Sequence, residues 1–216
     1  MSKKYDMIIF DVDGTLCDTV ALVHDSINKV LAIHGINKKV DIKDIRSGQG
    51  MNKENFAKNC MSFLDKDVRD NILTEADNLK NSRIDDPSVT VFNGVKDTIA
   101  ELSEEHLIGI VSNCGPGYIE AVIPKIGISE YVTDYLAASA LFISKADGIK
   151  EIMKRNNVKN AVYVGDTLLD KSSCDEAGVD FVFASYGFGE VPDTQYRINN
   201  FSELIKEIKR IENSGI

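Results

Sequence analysis

Met7-Ile8-Ile9-Phe10-Asp11-Val12-Asp13-Gly14-Thr15 decides how this chain is organised. Its first four residues are continuously apolar rather than alternating, which predicts a short parallel strand buried on both faces. Asp11 and Asp13 follow at once, and two acids cannot stay buried and unpaired at low cost. The chain is therefore expected to emerge at Asp11, on the carboxyl edge of a sheet, where ligands bind in open α/β folds. Alternate residues of an extended backbone point opposite ways, so the two carboxylates should have different tasks. Asp-Gly is also a common turn dipeptide, and taken alone the pair reads equally as two solvated acids.

A chain of 216 residues is long enough for one sizeable core with room for a smaller second domain. An apolar share of 43% and a charged share of 27% describe an ordinary soluble globular protein. The formal net charge of -9 argues against nucleic acid or an anionic membrane as main partner, since both reward clustered Lys and Arg. A phosphorylated substrate stays possible where local positive charge or a metal ion offsets the repulsion. Cys17, Cys60, Cys114 and Cys174 are scattered without a C-x-x-C pair and read as buried or incidental thiols in a reducing cytosol. The first apolar run is too short for a signal peptide and no later run could span a bilayer, so a cytoplasmic location is expected.

Downstream, Asp18 or Thr19 can cap a helix whose apolar stripe is Val20, Val23, Ile27, Val30 and Leu31, with Gly35 stopping it. Residues 36–86 stay polar and helix-like. Arg46-Ser47-Gly48-Gln49-Gly50 reads as a flexible break, and Asp85-Asp86-Pro87-Ser88 closes the region as a turn. After it, strands alternate with helices. Leu107–Val111, Ala161–Val164 and Phe181–Ala184 read as strands, and Tyr135–Ala138 as a weaker one. A helix near Tyr118 to Ile126 should end or kink at Pro124, and Phe201, Leu204, Ile205, Ile208 and Ile211 mark a last amphipathic helix. Such alternation implies an α/β fold, a parallel sheet with helices on both faces.

Polar groups stand at the strand ends: Asp11 after Phe10, Ser112-Asn113 after Val111, and Gly165-Asp166-Thr167 after Val164. A helix-cap reading covers Asp166 but leaves Asp170 without a purpose. Three acids on one edge repel one another, and a hard cation with oxygen ligands removes that repulsion, so Asp11, Asp166 and Asp170 form a plausible Mg²⁺ site. Lys145 lies in the connection between the third and fourth strands, where most lysines are simply solvated.

This ordered set resembles the haloacid dehalogenase-like hydrolase superfamily over nearly the whole chain. Asp11-Val12-Asp13-Gly14-Thr15-Leu16 is similar to its first motif, Ser112-Asn113 to the second, Lys145 to the third, and Gly165-Asp166-Thr167 with Asp170 to the fourth. The helical stretch between the first two motifs resembles the cap of the phosphoglycolate phosphatase and β-phosphoglucomutase branch. Ala146-Asp147 after Lys145 departs from the Lys-Pro-x-Pro of many relatives.

The resemblance implies a Rossmann-like three-layer core, residues 1–16 and 88–216, with a small α-helical cap at 17–87 inserted after the first strand. It implies Asp11 as nucleophile and Asp13 as general acid and base. Mg²⁺ would be held by Asp11, Asp166, Asp170 and the Asp13 backbone carbonyl, and phosphate by Ser112, Asn113 and Lys145. The substrate would be a small phosphorylated metabolite, with Lys53 or Arg46 meeting an anionic group. A sugar-phosphate mutase uses the same intermediate and is the alternative. A response-regulator receiver also carries acids and a Lys on a parallel sheet, but it lacks a cap and takes phosphate on a later strand.

Overall fold

A computed structural model gives the fold and describes residues 5–214. The chain runs through β1 (Met7–Phe10), β2 (Cys17–Asp18), then four helices, α1 (Val20–Ile33), α2 (Ile42–Gly48), α3 (Lys53–Met61) and α4 (Lys66–Ser82). It returns through β3 (Thr90–Val91), α5 (Val95–Ser103), β4 (Leu107–Ser112), α6 (Tyr118–Ile126) and β5 (Asp134–Ala137). It closes with α7 (Lys145–Arg155), β6 (Ala161–Gly165), α8 (Leu168–Ala177), β7 (Asp180–Ala184), β8 (Tyr196–Ile198) and α9 (Leu204–Ser214).

Six strands form one parallel sheet in the order β5-β4-β1-β6-β7-β8. The chain builds outward from β1 first on one side and then on the other, so strand order reverses beside β1. Such a reversal opens a crevice at the carboxyl ends of the strands. Side chains of β1 alternate between two cores, as the period of a strand requires. Ile8 and Phe10 join residues of α5, α6 and α9, whereas Met7 and Ile9 join Ile149 and Ile152 of α7 and Cys174 of α8. The result is a Rossmann-like α/β fold with three layers.

Helices α1–α4 share a third core that includes Ile27, Leu31, Ile45, Met61, Ile72 and Leu73. They are reached and left through β2 and β3, which pair antiparallel, Cys17 with Val91 and Asp18 with Thr90. No helix among the described residues is long and apolar enough to cross a membrane.

Several local expectations are corrected. Arg46 to Gly48 belong to α2, so the break begins only at Gln49. Thr19 is the N-cap position of α1 but its hydroxyl makes no cap; Asp18 Oδ1 accepts the Val20 N–H instead, at 2.9 Å. Pro124 is accommodated in the last turn of α6, which ends two residues later at Ile126, with Gly127 at φ 80° following it. Phe201 lies in a 3₁₀ turn ahead of α9 rather than in the helix itself. Strand β8, three residues at the sheet edge, has too short an alternation to register in the sequence.

Candidate active site

Asp11 continues the alternation of Met7 and Ile9, which points it toward the face carrying α7 and α8. There it meets Lys145, whose Nζ lies 3.1 Å from Asp11 Oδ1 and 2.5 Å from Asp170 Oδ1. All three side chains are buried. Lys145 is not in a loop, as expected from the sequence, but is the first residue of α7. Ser144 caps that helix by accepting the Asp147 N–H, which fixes where the lysine stem starts. Burial pulls the Lys145 ammonium down, but Asp11 and Asp170 outweigh it and hold its pKa above the usual lysine range.

Asp170 acquires the purpose that the sequence left open. Thr167 caps α8, and Asp170 is the third residue of that helix. Its Oδ2 accepts the Thr167 N–H at 2.9 Å while its own N–H meets Thr167 Oγ1, a capping box. The cap role expected of Asp166 therefore belongs to Thr167 and Asp170. Asp166 instead accepts the Phe188 N–H at 2.7 Å. Gly14 and Gly187 crowd it so closely that a Cβ at either would fall 2.1 Å from Asp166 Oδ2 or 2.3 Å from Asp166 Cβ. Gly14 also has φ 82°, a left-handed backbone that suits glycine.

One oxygen from each of Asp11, Asp166 and Asp170 lies within 4.8 Å of the others. Three carboxylates here face a single ammonium. Desolvation by burial, reinforced by the neighbouring carboxylates, pushes Asp11 up to about 6 and Asp166 up to about 8. The Lys145 contact to Asp11 lacks hydrogen-bond geometry, so the buried Asp11 Oδ1 has no hydrogen-bond partner among the described residues. An excess of buried negative charge, an all-oxygen donor set and an orphaned carboxylate oxygen fit a divalent hard cation.

Asp13 points elsewhere. Its Oδ1 accepts hydrogen bonds from Thr19 Oγ1 and from Tyr118 OH, the latter at 2.8 Å. Desolvation raises its pKa against the opposing pull of Lys80, Thr19 and Tyr118. Asp11, Asp13, Ser112 and Asn113 line a cleft at the sheet edge, closed from the helical side by Gly50, Lys53, Phe56 and Lys80. Asn113 Nδ2 donates across it to the Gly50 carbonyl at 2.9 Å. Cys114 lines the same cleft, and burial pushes its thiol up to about 12.

The structure thus gathers Asp11, Asp13, Ser112, Asn113, Lys145, Asp166 and Asp170 at the ends of β1, β4 and β6. Lys53 reaches the cleft, while Arg46 is drawn to Asp18 at 3.3 Å and to the Phe188 ring. Sequence reading missed Tyr118 and Lys80. An aromatic residue and a lysine on amphipathic helices carry no signal that separates them from ordinary core and ordinary surface.

A sequence model of the haloacid dehalogenase-like hydrolases matches residues 8–184. The chain belongs to that family. Among members of this hydrolase family, a phosphoglycolate phosphatase of Rhodobacter capsulatus is 24% identical over 86% of this chain and 86% of its own. A predicted phosphoglycolate phosphatase from Haemophilus somnus 129PT has the same fold, TM-score 0.83, at 17% identity over 95% of this chain and 99% of its own. CbbY from Rhodobacter sphaeroides, solved in complex with phosphate, superposes with TM-score 0.77 at 20% identity over 93% and 96% of the two chains. The acidic cluster of this hydrolase lies at the strand edge where that fold places its ligand crevice.

Proposed function

We propose that this protein is a Mg²⁺-dependent phosphatase that hydrolyses a small phosphorylated metabolite, phosphoglycolate-like or a sugar phosphate. The observation that carries this reading is the buried Asp11 carboxylate, whose Oδ1 is ion-paired with Lys145 but accepts no hydrogen bond among the described residues, beside two further acids. The sequence relatives, named as phosphoglycolate phosphatases, support the substrate class.

Asp11 is the nucleophile. As its oxygen bonds to phosphorus in line with the ester oxygen, the ester P–O bond breaks and its electron pair leaves on that oxygen. Asp13 gives its proton to the departing oxygen, so a neutral alcohol leaves. Asp13 then takes a proton from water, whose oxygen attacks phosphorus of the aspartyl-phosphate, freeing phosphate and restoring Asp11. The raised pKa of Asp13 supports its carrying the first proton. Ser112, Asn113 and Lys145 are the donors for the phosphoryl oxygens, fixed before reaction by their strand and helix. Asp11, Asp166, Asp170 and the Asp13 backbone carbonyl would hold the Mg²⁺, which when bound offsets charge on the carboxylates and the phosphoryl group.

We further propose that residues 17–87 act as a cap over a core of residues 1–16 and 88–216, excluding water when closed. This is supported by their separate apolar core and by the paired β2 and β3 at both crossings.

Phosphate release from p-nitrophenyl phosphate and a metabolite panel tests the reading, with and without Mg²⁺ and with Asp11→Asn. Metal-dependent release that the variant lacks is expected. Full activity in Asp11→Asn, or turnover indifferent to chelator, overturns the mechanism; an isomerised sugar phosphate in place of free phosphate marks a mutase.

A further inference from the structure

Two lysines are buried among the described residues, and they are treated differently. Lys145 has carboxylate oxygens at 2.5 and 3.1 Å. Lys80, on α4, is only 8% exposed. Its ammonium nevertheless meets one carboxylate oxygen, Asp77 Oδ1 at 3.4 Å, and the face of Tyr118 at 3.9 Å from the ring centre. Among the described residues it donates no hydrogen bond. Its Nζ is not sealed from solvent, so those unused donors face the cleft. A lysine on a helix ordinarily carries its charge out to solvent along a flexible stem. Lys80 instead lines the cleft, from the helical side, while Ser112 and Asn113 line it from the sheet.

Other cations near the cleft are already engaged. Lys145 is locked between Asp11 and Asp170, and Lys53 donates to Thr74 Oγ1 at 3.0 Å. Asp77 orients the Lys80 ammonium without saturating it, and the Tyr118 face shields it from water while favouring a cation. Resting on the phosphatase reading above, we infer that Lys80 determines specificity by receiving the carboxylate of a small phosphate ester whose phosphoryl group sits at Asp11. The other end of the substrate is thereby recognised by a cation whose direct carboxylate contact among the described residues is the long one to Asp77, with Asp13 within reach of its charge.

The test compares kcat/KM for 2-phosphoglycolate with that for 2-hydroxyethyl phosphate, which lacks the carboxylate, on the full chain with Mg²⁺ supplied. Wild type, Lys80→Met, Lys80→Arg and Lys80→Glu are measured, and p-nitrophenyl phosphate reports turnover independently of either tail. Taking the ratio of the two esters cancels losses that come from folding alone. Wild type should favour the carboxylated ester. The ratio should fall about 10- to 100-fold in Lys80→Met, mostly through KM, the range for a hydrogen bond to a charged group. Lys80→Arg should keep part of the preference and Lys80→Glu should lose most. An unchanged ratio in Lys80→Met, or a wild type indifferent to the carboxylate, overturns the assignment of Lys80 while leaving the phosphatase standing. No turnover of any of the three esters overturns the phosphatase reading itself.

Discussion

Asp13 accepts two hydroxyl hydrogens on the same oxygen, from Thr19 and Tyr118. On the proposed mechanism its other oxygen is the one left to exchange a proton with substrate. Tyr118→Phe removes one of those restraints and should lower kcat on alkyl phosphates by about tenfold, a fraction of what a positioned acid supplies. On p-nitrophenyl phosphate, whose leaving group needs little protonation, the loss should be smaller; equal losses on both substrates would contradict a positioning role. Lys145→Met should behave differently, since it leaves Asp11 and Asp170 buried without their counter-charge. A destabilisation of about 3–5 kcal/mol is expected, read from the midpoint of urea unfolding at neutral pH. Asp11, Asp13, Asp166 and Asp170 were legible in the sequence because each sits in a short motif at the end of an apolar run. Tyr118 and Lys80 were not, because their place beside Asp13 and the cleft arises from packing between helices distant in sequence, which no local pattern records.

Tight turns hold the acids in place, and they set the next expectation. Gly187→Ala would drive a Cβ into Asp166, so Mg²⁺-dependent activity should fall by at least about tenfold even if the sheet survives. Activity within a factor of two of wild type would show that the turn can shift freely. At the return from α4, Asp86 accepts from the N–H and hydroxyl of Ser88 and pairs with Arg83, which also holds Asp25. The Ser88 hydrogen bonds, with Arg83 adding to them, lower Asp86 to about 2. A depressed carboxyl contributes stability that is fully present above the ordinary value near 3.8 and is lost as pH falls toward 2. Asp86→Asn should therefore lower stability modestly at neutral pH and flatten the acid limb over that window, so that variant and wild type converge as pH falls toward 2. The apolar runs of β1, β4 and β6 declared these strands in advance. Strand β8 and the start of α7 did not, the first for want of length and the second because Ser144 and Asp147 form a cap that reads as a loop.

Across the molecule, a net charge of -9 coexists with a buried acidic cluster that, among the described residues, one lysine offsets. Mg²⁺ should accordingly raise the unfolding temperature of the full chain, since a ligand bound only to the native state stabilises by about 2.7 kcal/mol at a hundredfold excess over Kd. Asp166→Asn should abolish that increment while raising the metal-free melting temperature, because it removes a charge that burial disfavours. A melting temperature indifferent to Mg²⁺ in wild type would argue against the acids as its ligands. The fold as a whole followed from strand and helix alternation, whereas the pairing of β2 with β3 is visible only in three dimensions. That pairing has a mechanical meaning. Two chain crossings bound side by side form one axle, not two independent tethers, so any swing of α1–α4 is confined to a single arc. On the proposed cap motion, Thr19, one residue beyond the axle, would travel little and keep its grip on Asp13, while Gly50, far out on the lever, would have to release Asn113 first.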